Sequence, residues 1–429
     1  RSYEIADHYR RRGVFVALGG LHASSLPEEA SGHADAVFVG PGEDTWPRFL
    51  ADFRAGCPAP LYVSRRRTLD GAPVPRRDLI RRSLYLVPNS ITVTRGCPHH
   101  CDFCYKDAFF TGGRSFYTRA VDQALAEIDL LPGRHLYFLD DHLFGARPFA
   151  AALFQGMRGM RRLWQAAATV DSILECASHP HLLEQAVECG LRSLFVGFES
   201  ISAVNLQAHS KRQNRRSDYE RAVARLHSLG VMINSSFVFG MDEDTPDVFH
   251  RTVDWALSQA LETATFHILT PYPGTALYAR MQAQGRLLHN NWDLYDTRHA
   301  VFQPARMSPA QLEEGYWRAY RDFYRWSSIA RAAASQPTFA QCIRHFTYSA
   351  AWKKFEPLWD FVLSVRRVAL ARPVLETVLN GTLPSPLAVR SLFHPDKNVL
   401  FLRPTRAKSH QALSSTGGAF HLAQRRIFK

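Results

Sequence analysis

Short apolar runs that alternate with helix-patterned stretches restrict the fold of this chain more than any other feature. Six such runs predict strands at residues 91–94, 135–140, 164–170, 193–199, 232–240 and 263–270. Helical patterns separate and follow them at residues 118–130, 148–161, 180–189, 217–229, 245–260 and 275–284. Alternating βα units form a parallel sheet with right-handed crossovers, so we predict an α/β fold built on a partial, TIM-like (β/α)6 barrel.

Three of the seven cysteines lie together in the run RGCPHHCDFCY at residues 95–105, directly after the first predicted strand. Cys97, Cys101 and Cys104 on one short loop match a 4Fe–4S cluster in which three irons have thiolate ligands. The fourth iron then stays open to a substrate, whereas a closed electron carrier uses four cysteines. Barrel enzymes carry their sites at the carboxyl ends of the strands. Spacing and position together therefore predict a catalytic cluster.

A structural zinc site is one alternative for this loop. Zinc usually takes four ligands in paired groups, whereas the remaining cysteines are isolated, at Cys57, Cys176, Cys189 and Cys342. His99 or His100 would have to complete the site from within the same tight loop. A disulfide framework is disfavoured because the number of cysteines is odd and a chain of 429 residues needs no such staples. We therefore expect a reducing, cytoplasmic compartment.

The cysteine run resembles the CxxxCxφC signature of the radical S-adenosylmethionine (SAM) enzymes, with Phe103 in the aromatic φ place. The resemblance implies that the three cysteines hold a 4Fe–4S cluster whose open iron chelates the amino and carboxylate groups of SAM. It also implies that an electron, from a donor such as flavodoxin or ferredoxin, cleaves the sulfonium and yields a 5′-deoxyadenosyl radical. Such chemistry belongs to the cofactors, which the protein positions and shields. Phe103 is expected near the adenine, with a place in the loop core as the alternative.

The same resemblance implies further contacts to SAM at the ends of later strands. Asp140 and Asp141 lie in FLDDH, which resembles an F-x-D-D variant of the family and offers a carboxylate to the SAM ammonium group. Helix capping is the alternative role for these two acids. Glu199 lies in GFES, which resembles the family's GxES run, and Ser236 lies on the fifth strand, where alternate side chains point inward. We expect Glu199 and Ser236 to face SAM.

Two glycine-rich turns end the short strands predicted at residues 14–20 and 36–40. They read GGLH and GPGE, and they resemble the GGxH and GEGE pattern of the cobalamin-binding domain found in one branch of the family. The resemblance implies corrin contacts by six residues: Gly19, Gly20, His22, Gly40, Gly42 and Glu43. Ordinary βα-turn glycines are the alternative. Only two strands are evident, fewer than a complete domain of this kind has, and the DxHxxG run of many cobalamin proteins is absent. We therefore predict a truncated Rossmann-like segment.

The patterns divide the chain into four regions. They are the end of a cobalamin-binding domain at residues 1–56, a linker at residues 57–88, the barrel at residues 89–285, and a mainly helical extension with a flexible tail at residues 286–429. Because the first residue is Arg rather than Met, we expect the natural chain to begin further upstream.

Positive charge is concentrated near the carboxyl terminus. Residues 330–429 hold 15 Lys and Arg against 4 Asp and Glu, which is most of the formal net charge of +13. With an amphipathic pattern over residues 352–372, this suggests contact with an anionic membrane surface. A packed helix and a solvated tail are the alternatives, and nucleic acid is a less favoured partner. No run is long and apolar enough to span a membrane.

These patterns together predict a radical SAM enzyme that methylates an unactivated carbon with the help of cobalamin. The run WDLY at residues 292–295 resembles the extension of relatives that act on lipids such as hopanoids, so a lipid or another small molecule is the expected substrate. Ring formation, oxygen insertion or another rearrangement without methyl transfer is the first alternative. The second is a non-catalytic iron–sulfur or zinc module. Beyond the cofactor contacts, the sequence assigns no residue a catalytic role.

Overall fold

The computed structural model describes residues 1–353, apart from residues 86, 112, 175–177, 212–213 and 337, together with residues 372–380. The strands are β1 Ala17–Leu18, β2 Ala36–Val39, β3 Leu61–Val63, β4 Ser90–Ile91, β5 Thr94–Gly96, β6 Phe116–Thr118, β7 His135–Phe138, β8 Leu163–Ala168, β9 Leu191–Glu199, β10 Met232–Phe239 and β11 Thr263–Ile268.

The helices up to the main sheet's last strand are α1 Ser2–Arg10, α2 Leu21–Ser25, α3 Pro27–Ser31, α4 Thr45–Arg54, α5 Lys106–Phe109, α6 Val121–Leu130, α7 Arg147–Met157, α8 Val170–Ile173, α9 Leu182–Glu188, α10 Ala203–Ala208, α11 Arg216–Ser228 and α12 Val248–Ser258. Those that follow are α13 Ala276–Ala283, α14 Pro309–Phe323, α15 Trp326–Ala334, α16 Phe339–Lys353 and α17 Arg372–Asn380. Single turns of 3-10 helix occur at Arg77–Leu79, Arg82–Leu84, Leu143–Gly145 and Trp292–Leu294.

Six strands form one parallel sheet in the order β11-β10-β9-β8-β7-β4, which confirms the predicted parallel α/β architecture. Side chains of β9 alternate between two environments. Leu194, Val196 and Phe198 are fully buried in the core under the helices, whereas Phe195 and Gly197 are half-buried on the other face. Because one face of the sheet is sealed by helices, only the opposite face is open to a ligand.

The first predicted strand, over residues 91–94, is wrong as a single element. β4 ends at Ile91, and the chain then leaves the main sheet to form β5, which pairs with β6 as an antiparallel hairpin. Asp140 causes this break, because its Oδ1 accepts hydrogen bonds from the backbone N–H of Val93 at 3.0 Å and from that of Thr94. Those N–H groups are unavailable to a neighbouring strand. The cysteine loop therefore starts from a hairpin that stands outside the main sheet.

The amino-terminal residues form a separate three-stranded parallel sheet in the order β1-β2-β3. Only Ala17 and Leu18 pair with β2, so β1 is shorter than the predicted strand at residues 14–20. The sequence analysis missed β3, because prolines at positions 58 and 60 leave only three residues able to pair with β2. This sheet consequently extends into the region predicted as a linker.

The two glycine-rich turns meet at the carboxyl ends of β1 and β2. The backbone N–H of Gly40 donates to Ser24 Oγ at 2.9 Å. Gly40 has φ +81°, and a β-carbon there would lie 3.3 Å from the carbonyl oxygen of Phe109. Glycine at this position therefore permits close approach of α5, the helix that follows the three cysteines.

Helix α14 covers the free edge of the main sheet. The Tyr324 hydroxyl donates to the carbonyl oxygen of Ala264 at 2.9 Å and accepts from the N–H of the same residue at 3.1 Å. Tyr320 makes the same pair of bonds to Phe266, at 3.2 and 3.1 Å. These tyrosines occupy edge groups of β11 that would otherwise be available for pairing with another strand.

In the described part of the carboxyl-terminal extension, residues 286–308 are mostly irregular, and the helices α14 to α17 begin at Pro309. In α16, Tyr348 donates to Asn234 at 3.3 Å, so this helix packs at the amino-terminal half of β10. The amphipathic pattern predicted over residues 352–372 lies almost entirely outside the described residues. Within them, no helix combines the length and apolar character that crossing a bilayer requires.

We predict that Gly96→Ala misplaces the cysteine loop. Gly96 has φ +73°, and a β-carbon there would lie 1.9 Å from the carbonyl oxygen of Ser115. Gly133 has a similar φ of +81° with no atom within 4 Å, so Gly133→Ala is the matched control. The left-handed conformation alone should cost the control about 1–2 kcal/mol in free energy of unfolding.

Denaturant titration should show a clearly larger loss for Gly96→Ala, because the steric clash adds to the conformational cost. Anaerobic reconstitution should also leave less iron bound to this variant than to the control. Equal losses of stability and iron in the two variants would contradict the prediction.

Candidate active site

The cysteine loop runs from Cys97 to Ser115, between the two strands of the β5–β6 hairpin. Its ends are joined, because the Cys97 N–H donates to the Ser115 carbonyl at 3.0 Å and the Ser115 hydroxyl donates back at 3.4 Å. Inside the loop, the Cys104 N–H donates to the Cys101 carbonyl at 3.0 Å. None of the three cysteines forms a disulfide within the described residues, and Cys101 is buried. The loop thus presents three thiols within a closed backbone frame.

Asp102 fastens this loop to helices α10 and α13. Its Oδ1 lies 2.8 Å from Nδ1 of His209, and its Oδ2 lies 2.8 Å from the guanidinium of Arg280. Its carbonyl accepts from the N–H of Leu277 at 3.0 Å. Burial opposes the charge of Asp102, but the bonds from His209 and Arg280 outweigh it and lower the pKa. Phe103, the predicted adenine neighbour, packs edge-on against the His209 ring at 5.8 Å.

The adjacent acids Asp140 and Asp141 have different environments. Asp141 is exposed and accepts from the Gly96 N–H at 3.1 Å and from the Tyr105 hydroxyl at 2.5 Å, so it spans the loop across the three cysteines. Asp140 is 3% exposed, and burial raises its pKa to about 6. Its Oδ1 accepts a hydrogen bond from the backbone N–H of Thr94, while Oδ2 has no hydrogen-bond partner among the described residues.

Two buried ammonium groups lie close to the cysteines. Lys106 is 2% exposed and donates to Asp107 at 2.7 Å, and Lys211 is 7% exposed. Burial raises the pKa of Cys97, and it raises the pKa of Cys104 to about 11, while the two lysines partly offset these shifts. The two thiols are therefore protonated at neutral pH in the metal-free protein. Their thiolates become stable when a metal replaces the protons, and the lysines supply compensating positive charge.

Glu199 forms a buried ion pair at the end of β9. It has φ +64°, an uncommon left-handed conformation for this residue type, and its Oε1 lies 2.7 Å from Lys211 Nζ. Burial opposes the charge on Lys211, but Glu199 and the nearby Cys101 outweigh it and raise the pKa. A β-carbon at Gly197 would lie 2.5 Å from this carboxylate. Ser236 pairs with Gly197 across the strands, so its side chain emerges on the same face.

Two stacked imidazoles border the same loop. The ring centroids of His99 and His142 lie 5.4 Å apart, and His142 Nε2 is 3.3 Å from the Thr169 hydroxyl. Asp171 approaches His99 to 4.0 Å. Burial lowers the pKa of His142 to about 4 and also lowers the pKa of His99. Both rings are therefore neutral at pH 7 and add no positive charge to the site.

The amino-terminal sheet contacts the cysteine loop directly. Glu43 Oε1 lies 2.6 Å from the guanidinium of Arg95, two residues before the first cysteine. At the turn before α13, a β-carbon on Gly274 would lie 2.8 Å from Ala108 and 3.4 Å from Ser25. The glycine-rich turns, the cysteine loop and the turn before α13 therefore lie against one another.

The glycines predicted to contact a corrin fall into two groups. Gly20 and Gly42 are exposed, and no atom lies within 4 Å of a β-carbon placed on either of them. A β-carbon on Gly19 would approach Phe38 to 3.2 Å, and Gly40 is packed against α5 as described above. Gly20 and Gly42 thus have open space for a bulky ligand, whereas Gly19 and Gly40 serve the packing of the sheet.

His22 links the glycine-rich turn to the WDLY run. Its Nε2 lies 3.0 Å from Glu29, whose second oxygen accepts from the Trp292 indole at 3.1 Å. The rings of His22 and Trp292 also pack edge to face at 5.4 Å. The imidazole nitrogen at Nε2 is therefore engaged within the protein. Trp292 thus connects the segment that follows α13 to the amino-terminal region.

Sequence reasoning missed three charged residues of this site: Arg95, Lys106 and Lys211. Lys211 follows its partner by 12 positions and Arg95 follows Glu43 by 52, so no helical or strand period connects them. A lysine in a polar loop normally meets solvent. Only its burial in the folded structure distinguishes Lys211 from such residues.

Among the residues that the structure describes, no three His, Cys, Asp or Glu side chains converge closely enough to hold a single metal ion. The zinc alternative for the cysteine loop therefore gains no support from the geometry. A cubane cluster makes a different demand, because each thiolate binds a different iron. Three cysteine thiols in one closed loop, beside two buried ammonium groups, fit that demand.

Residues 91–256 match the family model described as the Radical SAM superfamily. The bacteriochlorophyllide d C-12(1)-methyltransferase of Chlorobaculum tepidum is 29% identical over 349 residues, covering 78% of this chain and 74% of that protein. The hopanoid C-2 methylase of Rhodopseudomonas palustris is 26% identical over 302 residues, covering 67% of this chain and 56% of that protein.

Among solved structures, the radical SAM methyltransferase TsrM from Kitasatospora setae has a similar fold. Its complex with tryptophan substrate and a SAM analogue gives a TM-score of 0.60 at 16% identity, over 84% of each chain. A second TsrM structure, with cobalamin and a [4Fe-4S] cluster, gives 0.54 at 17% identity, over 86% of this chain and 84% of that chain. At such low identity the likeness establishes the fold and leaves the chemistry to be argued from the residues.

We predict that Lys211→Met lowers the free energy of unfolding of the metal-free protein by about 3–5 kcal/mol, because it leaves a buried carboxylate unpaired. Glu199→Gln should also lower the free energy of unfolding, because it leaves the buried ammonium group of Lys211 unpaired. The double variant should recover most of the loss, since neither charge is then left alone. Urea titration of the four proteins measures the cycle. Additive losses in the double variant would contradict a direct pair.

A charge exchange tests the junction between Glu43 and Arg95. Each single reversal, Glu43→Arg or Arg95→Glu, should lower the iron bound per chain after reconstitution, because like charges would push the turn away from the cysteine loop. The double reversal should restore iron binding. Asp78→Arg, which reverses an exposed pair with Arg76 at 2.7 Å, is the matched control and should have no effect. Failure of the double reversal to restore iron would count against the pair as a positioning contact.

Proposed function

We propose that this chain, which belongs to the radical SAM superfamily, methylates an unactivated carbon by using a 4Fe–4S cluster, SAM and cobalamin. The observation that carries the proposal is the direct contact between the glycine-rich sheet and the cysteine loop, through Glu43 and Arg95 and through Gly40 and Phe109. A methyl carrier on that sheet would stand beside SAM bound at the loop. The names of the two methyltransferase relatives agree with this reaction.

We assign the cluster ligands to Cys97, Cys101 and Cys104. The bound cluster would supply the electron that cleaves the SAM sulfonium. The chain itself contributes the closed loop, the clamp at Asp102 and the positive charge of Lys211, which lies where thiolate charge accumulates.

We assign the amino-acid end of SAM to the polar face beside the loop. SAM carries an ammonium group and a carboxylate there, and Glu199 and Lys211 offer one charge to each. Ser236 and Phe103 border the same space. Of the two acids after β7, Asp141 is the better placed for SAM, because its side chain is exposed beside the cysteine loop whereas Asp140 is only 3% exposed.

We assign cobalamin to the amino-terminal sheet, a Rossmann-like segment that precedes a partial (β/α)6 barrel. Gly20 and Gly42 would let the corrin approach the backbone, since space is open at both positions. His22 is not proposed as a ligand of cobalt, because its Nε2 bonds to Glu29. Bound cobalamin would carry the methyl group between SAM and the substrate.

We propose a small lipophilic molecule or lipid as the substrate. The open face of the main sheet carries Leu139, which is 58% exposed, and the half-buried Tyr137, Phe195 and Val238. Exposed apolar side chains at a site of this kind favour an apolar ligand. The reaction as proposed needs a protein that donates single electrons, such as flavodoxin or ferredoxin.

The proposed reaction predicts two products from SAM. The reconstituted protein, supplied with cobalamin, a reductant and a true substrate, should form S-adenosylhomocysteine and 5′-deoxyadenosine together. Quantification of both products by mass spectrometry, with isotope-labelled methyl, tests this. Formation of 5′-deoxyadenosine alone with a converted substrate would refute methyl transfer and support a rearrangement.

Cysteine substitutions test the ligand assignment. Cys97→Ala, Cys101→Ala and Cys104→Ala should each abolish most iron binding and SAM cleavage, because one thiolate ligand is lost. Cys57→Ala, at an exposed cysteine outside the loop, is the matched control and should keep full iron content. Iron assay and the visible absorption spectrum measure the outcome. Full iron content in any of the three loop variants would remove that cysteine from the ligand set.

A further inference from the structure

We propose that four arginines beside the cysteine loop form the docking surface for an acidic, one-electron donor protein such as flavodoxin. We call this group the arginine surface, and it consists of Arg65, Arg66, Arg67 and Arg114. The proposal rests on the proposed function, because only a reductive reaction needs such a donor. It adds the place where the donor binds and the chemistry that recognises it.

The arginine surface joins two segments that are distant in sequence. Arg67 donates to the carbonyl of Thr111 at 3.1 Å, and its guanidinium lies 5.9 Å from the centre of the Phe110 ring. A β-carbon on Gly113 would lie 2.7 Å from Arg67 Nε, so the two segments are in close contact. This contact brings the run Arg65 to Arg67 next to Arg114.

The surface is also directly connected to the first cysteine. Arg114 precedes Ser115, whose carbonyl accepts from the Cys97 N–H at 3.0 Å. A protein bound at Arg114 would therefore lie close to the cysteine thiols, because this hydrogen bond joins the residue next to Arg114 to Cys97. Electron transfer requires this closeness, whereas a basic patch elsewhere on the protein would not provide it.

The charge of the surface is largely uncompensated. Arg65, Arg66 and Arg114 are exposed, and no ion pair among the described residues occupies their guanidinium groups. Asp44 accepts from the Ser64 hydroxyl at 2.6 Å and from the Arg66 N–H at 3.4 Å; both donors are uncharged, so this carboxylate offsets part of the positive charge of the four arginines. Glu43 is paired with Arg95, and Asp107 with Lys106.

A recess of about 350 Å³ lies alongside, and its lining includes Arg48, Arg65 and Asp44. The exposed guanidinium groups of the arginine surface suit the carboxylates of an acidic partner, because arginine binds carboxylates with two parallel hydrogen bonds. In the docked complex one electron leaves the donor and one is taken up at the cysteine-held centre, and no bond forms or breaks.

The experiment uses the full chain with reconstituted cluster, without substrate or cobalamin, and purified flavodoxin hydroquinone as the probe. Stopped-flow absorbance gives the rate of cluster reduction, and quenching of flavin fluorescence gives the dissociation constant. In the triple variant Arg65→Glu, Arg66→Glu and Arg114→Glu, we expect the rate at low salt to fall by about tenfold or more and to lose most of its salt dependence. Iron content and the rate with dithionite should not change.

The matched control reverses three exposed arginines elsewhere on the protein. These are Arg11→Glu in the turn after α1, and Arg318→Glu and Arg321→Glu in α14. It has the same net charge as the triple variant and should react like the parent. Equal slowing in this control, or a parental rate in the triple variant, would overturn the proposal. Equal slowing with dithionite would also overturn it, because the defect would then lie in the loop.

Two further measurements keep the result interpretable. If the triple variant does not bind iron, Arg114→Gln alone should still weaken flavodoxin binding to the metal-free protein several-fold, and an unchanged dissociation constant would refute the docking site. If the triple variant loses binding to phosphatidylserine vesicles but keeps parental flavodoxin kinetics, the surface belongs to a membrane and the proposal is wrong. Because no methyl transfer is measured, failure of the proposed function leaves these outcomes unaffected.

Discussion

The carboxylate of Asp140 is the constraint on which the candidate site depends. It takes the backbone N–H groups of Val93 and Thr94, and by doing so it ends the first strand of the main sheet after two residues. The chain then turns out of the sheet and forms the β5–β6 hairpin, which carries the cysteine loop. Hydrogen bonds to a charged group contribute about 1.5–3 kcal/mol each, enough to outweigh the ladder bonds that they replace.

Around that loop, the protein balances buried charge with nearby buried charge. Lys106 and Lys211 lie near the thiols, and Lys211 forms an ion pair with Glu199. Asp102 contacts both His209 and Arg280. Each of these groups would be costly alone, because a buried ion needs a partner. As a set they make a site in which thiolate charge can be accepted with little further cost. The neutral pair His99 and His142 fits the same scheme, since no additional cation is needed there.

Motif positions proved easier to infer than the contacts of their side chains. The resemblance of the GPGE turn to a family motif predicts that Glu43 lies beside a corrin. In the fold, its carboxylate forms an ion pair with Arg95. His22 and the WDLY run are read separately in the sequence, yet Glu29 connects them. In both cases the local sequence selects the turn, and the partner comes from a segment tens or hundreds of residues away. The third strand at residues 61–63 was missed because so short a run has no period of its own.

The sequence by itself determined the parallel α/β sheet and the loop with three cysteines. Those features depend on local periodicity and on short spacings, which any chain displays before it folds. Only the tertiary structure decided that Asp140 serves the backbone, that Lys211 is buried against Glu199, and that the glycine-rich turn touches the cysteine loop. These contacts join residues from 12 to 52 positions apart, and those of Asp140 and Lys211 owe their strength to burial. Burial is a property of the whole packed molecule, so no stretch of sequence contains it.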